Sequence, residues 1–469
     1  MKKFLLALLL TSMVEMTTAG NYRSLAPISV SSDTLKTAIP PPPDTTIVSS
    51  QRITEAQILA DKFLQKDYTT FMEKFDATMK SAMSLEMLTQ ARESLNQRLG
   101  AFKQQLGIRG EKYQQYDVIY VTWQFEKMTI DLKLVLNQAA EIAGMFFVPS
   151  QSTAAAYSIP AYVKPGSYQE QEITVGSGEW ALPGSLTIPV GSGLFPAVVL
   201  IHGSGPNDRD ETIGPNKPFR DLAWGLASRS IAVLRYEKRT KQHAIKFTRE
   251  IIAGLTVKEE TIDDALAAVA LLQHTKGIDP ARIFILGHSL GGMLLPRIAV
   301  ADKKIAGLII MAGPTRPLED LTLDQVKYIS SLDSTISDEE KAFLDSLNVQ
   351  VARVKSATLS PATPSSSLPL GLAANYWLDL RPYHPDETAK KLKQPMLILQ
   401  GGRDYQVTLQ DFNGWKSALS SHSNVLLKLY PDLNHLFISG KGKSTPTEYG
   451  TAGHVSEQVI ADIAEWILK

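Results

Sequence analysis

The pentapeptide Gly287-His288-Ser289-Leu290-Gly291 is the part of this sequence that most directly suggests chemistry. It has the form G-x-S-x-G, follows the apolar run Arg282–Leu286, and leads into Gly292-Met293-Leu294, where a helix is predicted to begin. A serine on a sharp strand-to-helix turn projects its hydroxyl clear of the sheet, and only small neighbours permit the strained backbone. The strand before and the helix after predict that Ser289 is a nucleophile.

A serine hydroxyl needs a general base, and the sequence offers eight histidines. Sites in open α/β sheets form beyond the carboxyl ends of the strands. His435 follows the predicted strand Val425–Tyr430, whereas His422 precedes it and would lie about 20 Å away at the opposite edge. Four further histidines do not follow the end of a predicted strand as a general base should, namely His243, His274, His384 and His454. We therefore predict that His435 is the base and that His288 takes no part in proton transfer.

The base needs a carboxylate that orients it. Asp404 lies just beyond the predicted strand Pro395–Gln400 and is our first choice. Asp432 is the rival because it is close to His435 in sequence, but three residues of an irregular turn rarely bring a carboxylate to Nδ1 of a histidine in the same loop. The predicted triad is Ser289, Asp404 and His435, in that chain order.

A tetrahedral oxyanion needs backbone N–H donors. One is expected at Leu290, directly after the nucleophile, and the other in the loop after the buried strand Pro196–Ile201. That loop reads His202-Gly203-Ser204-Gly205-Pro206, and the Ser204 N–H is the first choice, with Gly203 second. His202 is interpreted as a structural residue that holds this loop.

From about residue 165 to the end, predicted strands alternate with helices, which indicates a mostly parallel sheet. About 80 residues separate two of these strands, where a short connection would suffice. We interpret residues 314–394 as an inserted helical lid. Its aromatic pair Tyr376 and Trp377 either frames the substrate pocket or forms the core of the lid. The predicted strands are Tyr168–Val175, Trp180–Ile188, Pro196–Ile201, Ile231–Arg235, Arg282–Leu286, Ile305–Met311, Pro395–Gln400 and Val425–Tyr430.

The beginning of the chain has the pattern of an export signal. Two lysines precede the apolar run Phe4–Leu10, and small residues follow up to Ala19 and Gly20. The run is too short to span a bilayer, and the chain has no cysteine for lipid attachment. We expect a signal peptide over residues 1–19, no stable membrane insertion, and a periplasmic or secreted product.

Residues 20–50, with four consecutive prolines, are predicted to form an extended linker. Residues 51–150 are predicted to form a small α+β domain of helices followed by a three-strand meander. One helix is marked by an apolar stripe that ends before Gly107, and the meander carries an alternating Asp131 and Lys133 interpreted as a solvated face. The stripe consists of Leu88, Leu95, Leu99, Phe102 and Leu106.

Composition excludes several classes of function. The 48 basic and 48 acidic residues give a net charge of +0, which argues against a nucleic-acid partner. The absence of cysteine excludes thiolate metal sites and a cysteine nucleophile. No metal or cofactor is expected, since H-E-x-x-H is absent and Ser439–Ser444 would need a glycine at Phe437 to be a phosphate loop.

These motifs together resemble a known family. The His202-Gly203 loop, the Gly287–Gly291 turn, Gly402-Arg403-Asp404 and Asn434-His435 resemble the bacterial serine hydrolases of the α/β-hydrolase fold, in their esterase and serine-aminopeptidase-like branch. The resemblance implies a mostly parallel eight-stranded sheet with helices on both faces and an inserted lid. Three further segments resemble a secreted subgroup with a small N-terminal domain of unknown role, namely His202–Asp210, Arg235–Arg239 and Tyr376–Asp379.

The expected reaction is hydrolysis of a small-molecule carboxylic ester through an acyl-enzyme. Two alternatives stay open at this point: a serine aminopeptidase or amidase, and a binding protein on a hydrolase scaffold. An aminopeptidase would need lid carboxylates such as Asp379, Glu319 or Asp320 to hold an α-amine. The sequence does not indicate an oligomeric state. Several basic residues either bind an anionic substrate or pair with Asp208, Asp210 and Glu237, namely Arg209, Arg235, Lys238 and Arg239.

Overall fold

The computed structural model describes residues 48–113, 115–126, 128–150, 157–332 and 335–469. The described residues up to 150 form one compact unit, and those from 157 onward form a second. The predicted signal peptide and almost all of the predicted linker lie outside the described residues. Within these ranges, no helix combines the length and the apolar character that a bilayer crossing requires.

The N-terminal unit consists of helices followed by an antiparallel sheet with the strand order β1-β2-β3-β4. Each helix begins after a serine or aspartate whose side chain accepts a hydrogen bond from a backbone N–H of the first turn, which is the usual N-cap arrangement. The elements are α1 (Ser50–Leu64), α2 (Tyr68–Glu73), α3 (Ala77–Ala82), α4 (Leu85–Leu99), β1 (Phe102–Tyr113), β2 (Tyr116–Phe125), β3 (Thr129–Leu136) and β4 (Ile142–Pro149).

Three expectations for this unit are wrong. The apolar stripe does not continue as helix to Leu106, because α4 ends at Leu99 and Gly100 takes a φ of +79°. Phe102 instead begins an additional strand, so the sheet has four strands rather than three. Asp131 is not on a solvated face: it is buried, and its carboxylate accepts hydrogen bonds from Thr122 Oγ1 at 2.6 Å and Arg109 at 2.8 Å.

The C-terminal unit contains the eight-stranded, mostly parallel sheet that was predicted. Its strand order is β12-β11-β10-β9-β7-β8-β6-β5. All neighbouring pairs from β7 to β12 are parallel, and β6 and β5 complete one edge in antiparallel pairing. The strands are β5 (Tyr168–Val175), β6 (Leu182–Pro189), β7 (Phe195–Ile201), β8 (Ala232–Tyr236), β9 (Ile278–His288), β10 (Gly307–Met311), β11 (Met396–Gly401) and β12 (Val425–Tyr430).

Helices cover both faces of this sheet because the central strands are apolar on both sides. Along β7, Ala197 and Val199 pack into the core on one face, and Val198 and Leu200 pack into the core on the other. The helices are α5 (Pro218–Ala227), α6 (Arg239–Gln242), α7 (Arg249–Gly254), α8 (Asp263–Gln273), α9 (Leu290–Ala301), α10 (Leu318–Ser330), α11 (Asp338–Lys355), α12 (Ala374–Leu380), α13 (Pro385–Ala389), α14 (Leu409–Leu419) and α15 (Glu457–Leu468).

The insertion between β10 and β11 is helical, as predicted, and contains α10 to α13. Helix α11 begins with a capping box, in which the Ser337 side chain and Glu340 satisfy each other's backbone N–H groups. Tyr376 and Trp377 of α12 are 4% and 0% exposed and belong to the core on one face of the sheet. The structure therefore places both side chains in the core between the sheet and the insertion, rather than in a separate core of the lid.

Candidate active site

Ser289 occupies the sharp turn between β9 and α9. Its backbone has φ +54° and ψ −120°, a combination that is costly for a residue with a side chain. The turn is fixed by a hydrogen bond from the Ser289 N–H to the Met311 carbonyl at 2.9 Å. A Cβ added at Gly287 would lie 2.4 Å from the Gly291 carbonyl carbon, and one added at Gly291 would lie 2.3 Å from the Ile201 oxygen. The two glycines are what allow the strained turn to fit against β7.

His435 and Asp404 form a buried pair beyond the ends of β12 and β11. His435 Nδ1 lies 2.7 Å from Asp404 Oδ2. The second carboxylate oxygen, Oδ1, accepts the N–H groups of Gln406 at 2.8 Å and Val407 at 3.0 Å. Because a carboxylate only accepts, this arrangement assigns the proton to Nδ1 and leaves the Nε2 lone pair of His435 available as a base.

The turn, the histidine loop and the loop after β7 meet at one edge of the sheet. His288, which precedes Ser289, has its ring centroid 4.6 Å from that of His435, and its Nε2 lies 2.9 Å from the His435 carbonyl oxygen. A Cβ built on Gly203 would lie 3.1 Å from Ser289 Cβ. The predicted nucleophile, the histidine–carboxylate pair and the predicted oxyanion loop are thus neighbours.

The hydrogen bonding of the loop after β7 decides between its two candidate donors. The Gly203 N–H donates to Glu211 Oε1 at 2.7 Å and is therefore occupied. The Ser204 N–H has no backbone or side-chain acceptor within the described part of the chain. Leu290 is the first residue of α9, so its N–H has no acceptor inside the helix. Ser204 and Leu290, the two donors predicted from the sequence, are the ones available.

The rival residues have other surroundings. His202 is buried, its Nε2 donates to the Asp208 carbonyl at 3.0 Å, and burial lowers the pKa of its imidazole to about 4. It is a neutral structural residue, in agreement with the sequence interpretation. Asp432 is exposed, and His422 is half-buried with its Nε2 3.1 Å from the Lys390 carbonyl oxygen, before β12 begins.

His288 has a role that the sequence did not indicate. Its Nδ1 lies 2.9 Å from Glu211 Oε2, and neither atom has another hydrogen-bond partner among the described residues. Burial lowers the pKa of His288, but the Glu211 carboxylate more than offsets this and raises it above its usual range. Burial likewise raises the pKa of Glu211, and His288 together with the Gly203 N–H brings it below its usual range. The buried ion pair Glu211–His288 therefore connects the Gly203 N–H to the His435 carbonyl, and no sequence spacing marks these residues as partners.

This pair should make stability depend on pH in a defined direction. The ordinary pKa values of His288 and Glu211 are 6.5 and 4.5. The raised pKa of folded His288 gives stability that is complete below pH 6.5 and is lost as the pH rises through the folded value. The lowered pKa of folded Glu211 gives stability that is complete above pH 4.5 and is lost as the pH falls through the folded value.

We expect the free energy of unfolding of the wild-type chain to exceed that of the double variant Glu211→Gln/His288→Asn most between pH 4.5 and pH 6.5. This difference should shrink as the pH rises above 6.5. Urea unfolding of both proteins from about pH 5 to about pH 9 measures this difference. His422→Asn is the control, since His422 contacts the Lys390 carbonyl rather than Glu211 and its difference from wild type should not vary in this way. A wild-type advantage over the double variant that stays constant across the range would contradict the ion pair.

The basic residues noted in the sequence are paired within the chain. Arg209 binds Glu237 at 2.8 Å and Arg235 binds Asp210, both partners anticipated from the sequence. Lys238 and Arg239 instead pair with Glu260 and Asp264. Internal pairing, rather than an anionic substrate, therefore accounts for these four charges.

Comparison with known proteins agrees with this architecture. The profile of the alpha/beta hydrolase family matches residues 198–441, and that of a family of proteins of unknown function (DUF3887) matches residues 56–145. The chain is 41% identical over 415 residues to Esterase EstD of Thermotoga maritima, covering 88% of this chain and 95% of that protein.

Among solved structures, the Pyrococcus furiosus esterase Pf2001 aligns with 16% identity and a TM-score of 0.42, over 64% of this chain and 91% of that one. Est1E from Butyrivibrio proteoclasticus aligns with 16% identity and a TM-score of 0.41, over 64% and 99%. The family profile over residues 198–441 and the 41% identity to an esterase over most of both chains show that the chain belongs to the alpha/beta hydrolase family and carries a DUF3887 domain before its hydrolase domain.

Proposed function

We propose that this protein is a serine hydrolase that cleaves carboxylic esters, with Ser289 as nucleophile, His435 as general base and Asp404 as the group that orients it. The observation that carries the proposal is the buried His435–Asp404 pair, 2.7 Å apart, beside the strained Ser289 turn. The relative Esterase EstD, 41% identical over most of both chains, supports ester hydrolysis as the reaction.

The geometry suits acyl transfer to water. His435 Nε2 takes the proton of the Ser289 hydroxyl as its oxygen attacks the ester carbonyl, and the carbonyl π electrons move onto oxygen. The Ser204 and Leu290 N–H groups stabilise that oxyanion. When the tetrahedral intermediate collapses, the C–O bond to the alcohol breaks, and the His435 imidazolium gives its proton to the leaving alkoxide.

Deacylation repeats these steps with water as the nucleophile. His435 removes a proton from water, the hydroxide attacks the acyl carbonyl, and the bond to Ser289 breaks as the serine oxygen regains a proton from the imidazolium. Asp404 stabilises the imidazolium that forms twice in each cycle.

The lid carboxylates argue against an aminopeptidase. Asp379 forms two hydrogen bonds with Arg297, at 2.7 and 2.9 Å, and Asp320 pairs with Lys355. Glu319 is only 3% exposed, so its carboxyl is not open to a substrate in this structure. None of the three predicted carboxylates is a free anion suited to a substrate α-ammonium group.

Substrate turnover by the purified full chain tests the proposal. We expect p-nitrophenyl esters of short acyl chains to be hydrolysed and aminoacyl p-nitroanilides to be left intact. A fluorophosphonate probe should label the folded protein at Ser289 and abolish the ester activity. Hydrolysis of the anilides alone would favour the aminopeptidase, and a folded protein that neither labels nor hydrolyses would favour a binding protein.

We also propose that the chain is exported, on the strength of the basic and apolar pattern of residues 1–19. Sequencing the N-terminus of the protein recovered from the periplasm or medium checks cleavage near Ala19.

A further inference from the structure

The peptide bond between Gly203 and Ser204 is held on its carbonyl side by a lysine. Lys238 Nζ donates a hydrogen bond to the Gly203 carbonyl oxygen at 2.8 Å, and Asn207 Nδ2 donates to the same oxygen at 3.3 Å. The Gly203 N–H, on the preceding peptide, is held by Glu211. Both peptide groups that flank Gly203 therefore have a fixed orientation.

Holding that carbonyl also sets the direction of the Ser204 N–H. The carbonyl of Gly203 and the N–H of Ser204 belong to one planar peptide unit, and no peptide bond among the described residues is cis. In a trans peptide the two groups point in opposite directions. Lys238, by fixing the carbonyl, turns the Ser204 N–H toward the opposite side of the loop.

Lys238 is in turn fixed by the fold. It is 2% exposed, and its Nζ lies 2.8 Å from Oε1 of Glu260, which is 3% exposed. The other oxygen of Glu260 accepts a hydrogen bond from the Tyr376 hydroxyl at 2.6 Å. Glu260 lies in a π-helical turn, Lys258–Ile262, a rare local geometry that directly precedes α8. Removing the two charges of such a deeply buried pair from water costs free energy, so a gain in stability does not by itself explain why the pair is present.

We propose that Lys238 is a positioning residue for the oxyanion hole, and that Glu260 and Tyr376 make its position depend on the inserted segment. The inference rests on the proposed function, because the Ser204 N–H matters only if an oxyanion forms there. It assigns Tyr376 to the support of this donor rather than to contact with the substrate.

The variant Lys238→Met/Glu260→Gln tests the inference without leaving a charge buried alone. Methionine has a similar shape to the lysine stem. The side-chain carbonyl oxygen of glutamine can still accept the hydrogen bond from the Tyr376 hydroxyl. We expect kcat for a p-nitrophenyl ester to fall by about 10²-fold, the usual loss for one oxyanion donor, with KM changed by less than about threefold. Tyr376→Phe should lower kcat in the same direction but by less, since Lys238 and Glu260 remain.

A transition-state analogue separates positioning from a general structural effect. A trifluoromethyl ketone forms a tetrahedral adduct with the serine, so its inhibition constant should rise in parallel with the loss of kcat/KM. The matched control is Arg239→Met/Asp264→Asn, which removes the adjacent ion pair. In the described part of the chain, the side chains of Arg239 and Asp264 bind each other and neither is hydrogen-bonded to the Gly203 loop. This control should keep wild-type kcat and inhibitor affinity.

Thermal unfolding of each variant shows whether it is folded. Fluorophosphonate labelling of the wild-type chain shows whether its serine nucleophile is reactive. If the wild-type chain hydrolyses the ester and is labelled, the proposed function stands, and the variants then test Lys238 alone. A folded double variant whose kcat and inhibitor affinity are both within about threefold of wild type would overturn the inference. So would an equal loss in the control pair, which would show that removal of any nearby ion pair has the same effect.

Discussion

Ser289→Ala is expected to lower kcat for a p-nitrophenyl ester by about 10⁶-fold, the loss typical of a serine nucleophile. The hydroxyl oxygen is the atom that forms the acyl-enzyme, and no neighbouring side chain on the turn can replace it. The Leu290 and Ser204 donors remain, so a residual rate of about 10³-fold over water is expected to persist. The φ of +54° at this position costs alanine about what it costs serine, so the fold should be retained.

Fluorophosphonate labelling checks the same substitution independently of the substrate. The variant should not be labelled, whereas Ser420→Ala, which changes a serine at the end of α14, should be labelled and fully active. Urea unfolding of the variant should resemble that of the wild type. A stably folded Ser289→Ala protein that keeps a tenth of the ester activity would show that the nucleophile lies elsewhere.

The hydrolase sheet could be predicted closely from the sequence. The bounds of β5 and β12 agree with the predicted strands, Tyr168–Val175 and Val425–Tyr430. The buried parallel strands β7 and β11 also begin and end within one residue of the predicted bounds, because such strands are continuous apolar runs that end in glycine, proline or polar residues. The rule that sites lie beyond the carboxyl ends of strands then selected Asp404 and His435, which the structure pairs.

The N-terminal unit shows where periodicity fails. Phe102 continues the apolar spacing of α4, but it packs edge-on against Trp123 and Phe125 as part of the sheet. Gly100 was the available signal, since a glycine directly after the last periodic leucine is a common helix end. An edge strand with mostly exposed or half-buried residues has little periodicity of its own. The first residues of β1, up to Leu106, therefore fit the helical spacing and are predicted as helix.

The buried pairs Lys238–Glu260 and Glu211–His288 could not be predicted, because only the folded topology brings their partners together. Sequence proximity favoured nearby acids such as Glu237 for Lys238, whereas the fold supplies Glu260 from the turn before α8. Tyr376 reaches Glu260 from 116 residues away, and His288 reaches the His435 carbonyl from 147 residues away. No regular spacing in the sequence marks such contacts. They hold the loops of Gly203 and His435, whose positions cannot be predicted from the motifs alone.

Asp404→Asn should lower kcat by about 10⁴-fold while the protein keeps its fold. The cause lies in how the carboxylate is held. The N–H groups of Gln406 and Val407 both donate to Oδ1, so the introduced asparagine keeps its carbonyl oxygen there. Its NH₂ group then takes the place of Oδ2 and faces His435 Nδ1, which must become an acceptor. His435 is thereby held with its proton on Nε2, where it cannot accept the proton of Ser289.

The comparison with Asp432→Asn makes this expectation specific. Asp432 is an exposed carboxylate three residues before His435, so its loss also removes one negative charge close to His435 in sequence, but without touching Nδ1. Steady-state kinetics of that variant should match wild type within about twofold, because an exposed charge is screened by solvent. Equal activity of wild type and Asp404→Asn would mean that the carboxylate does not set the tautomer, whereas a large loss in Asp432→Asn would return the role to the rival acid. Because the two variants differ only in which carboxylate is neutralised, their ratio measures the contribution of the Asp404–His435 hydrogen bond separately from the charge of the loop.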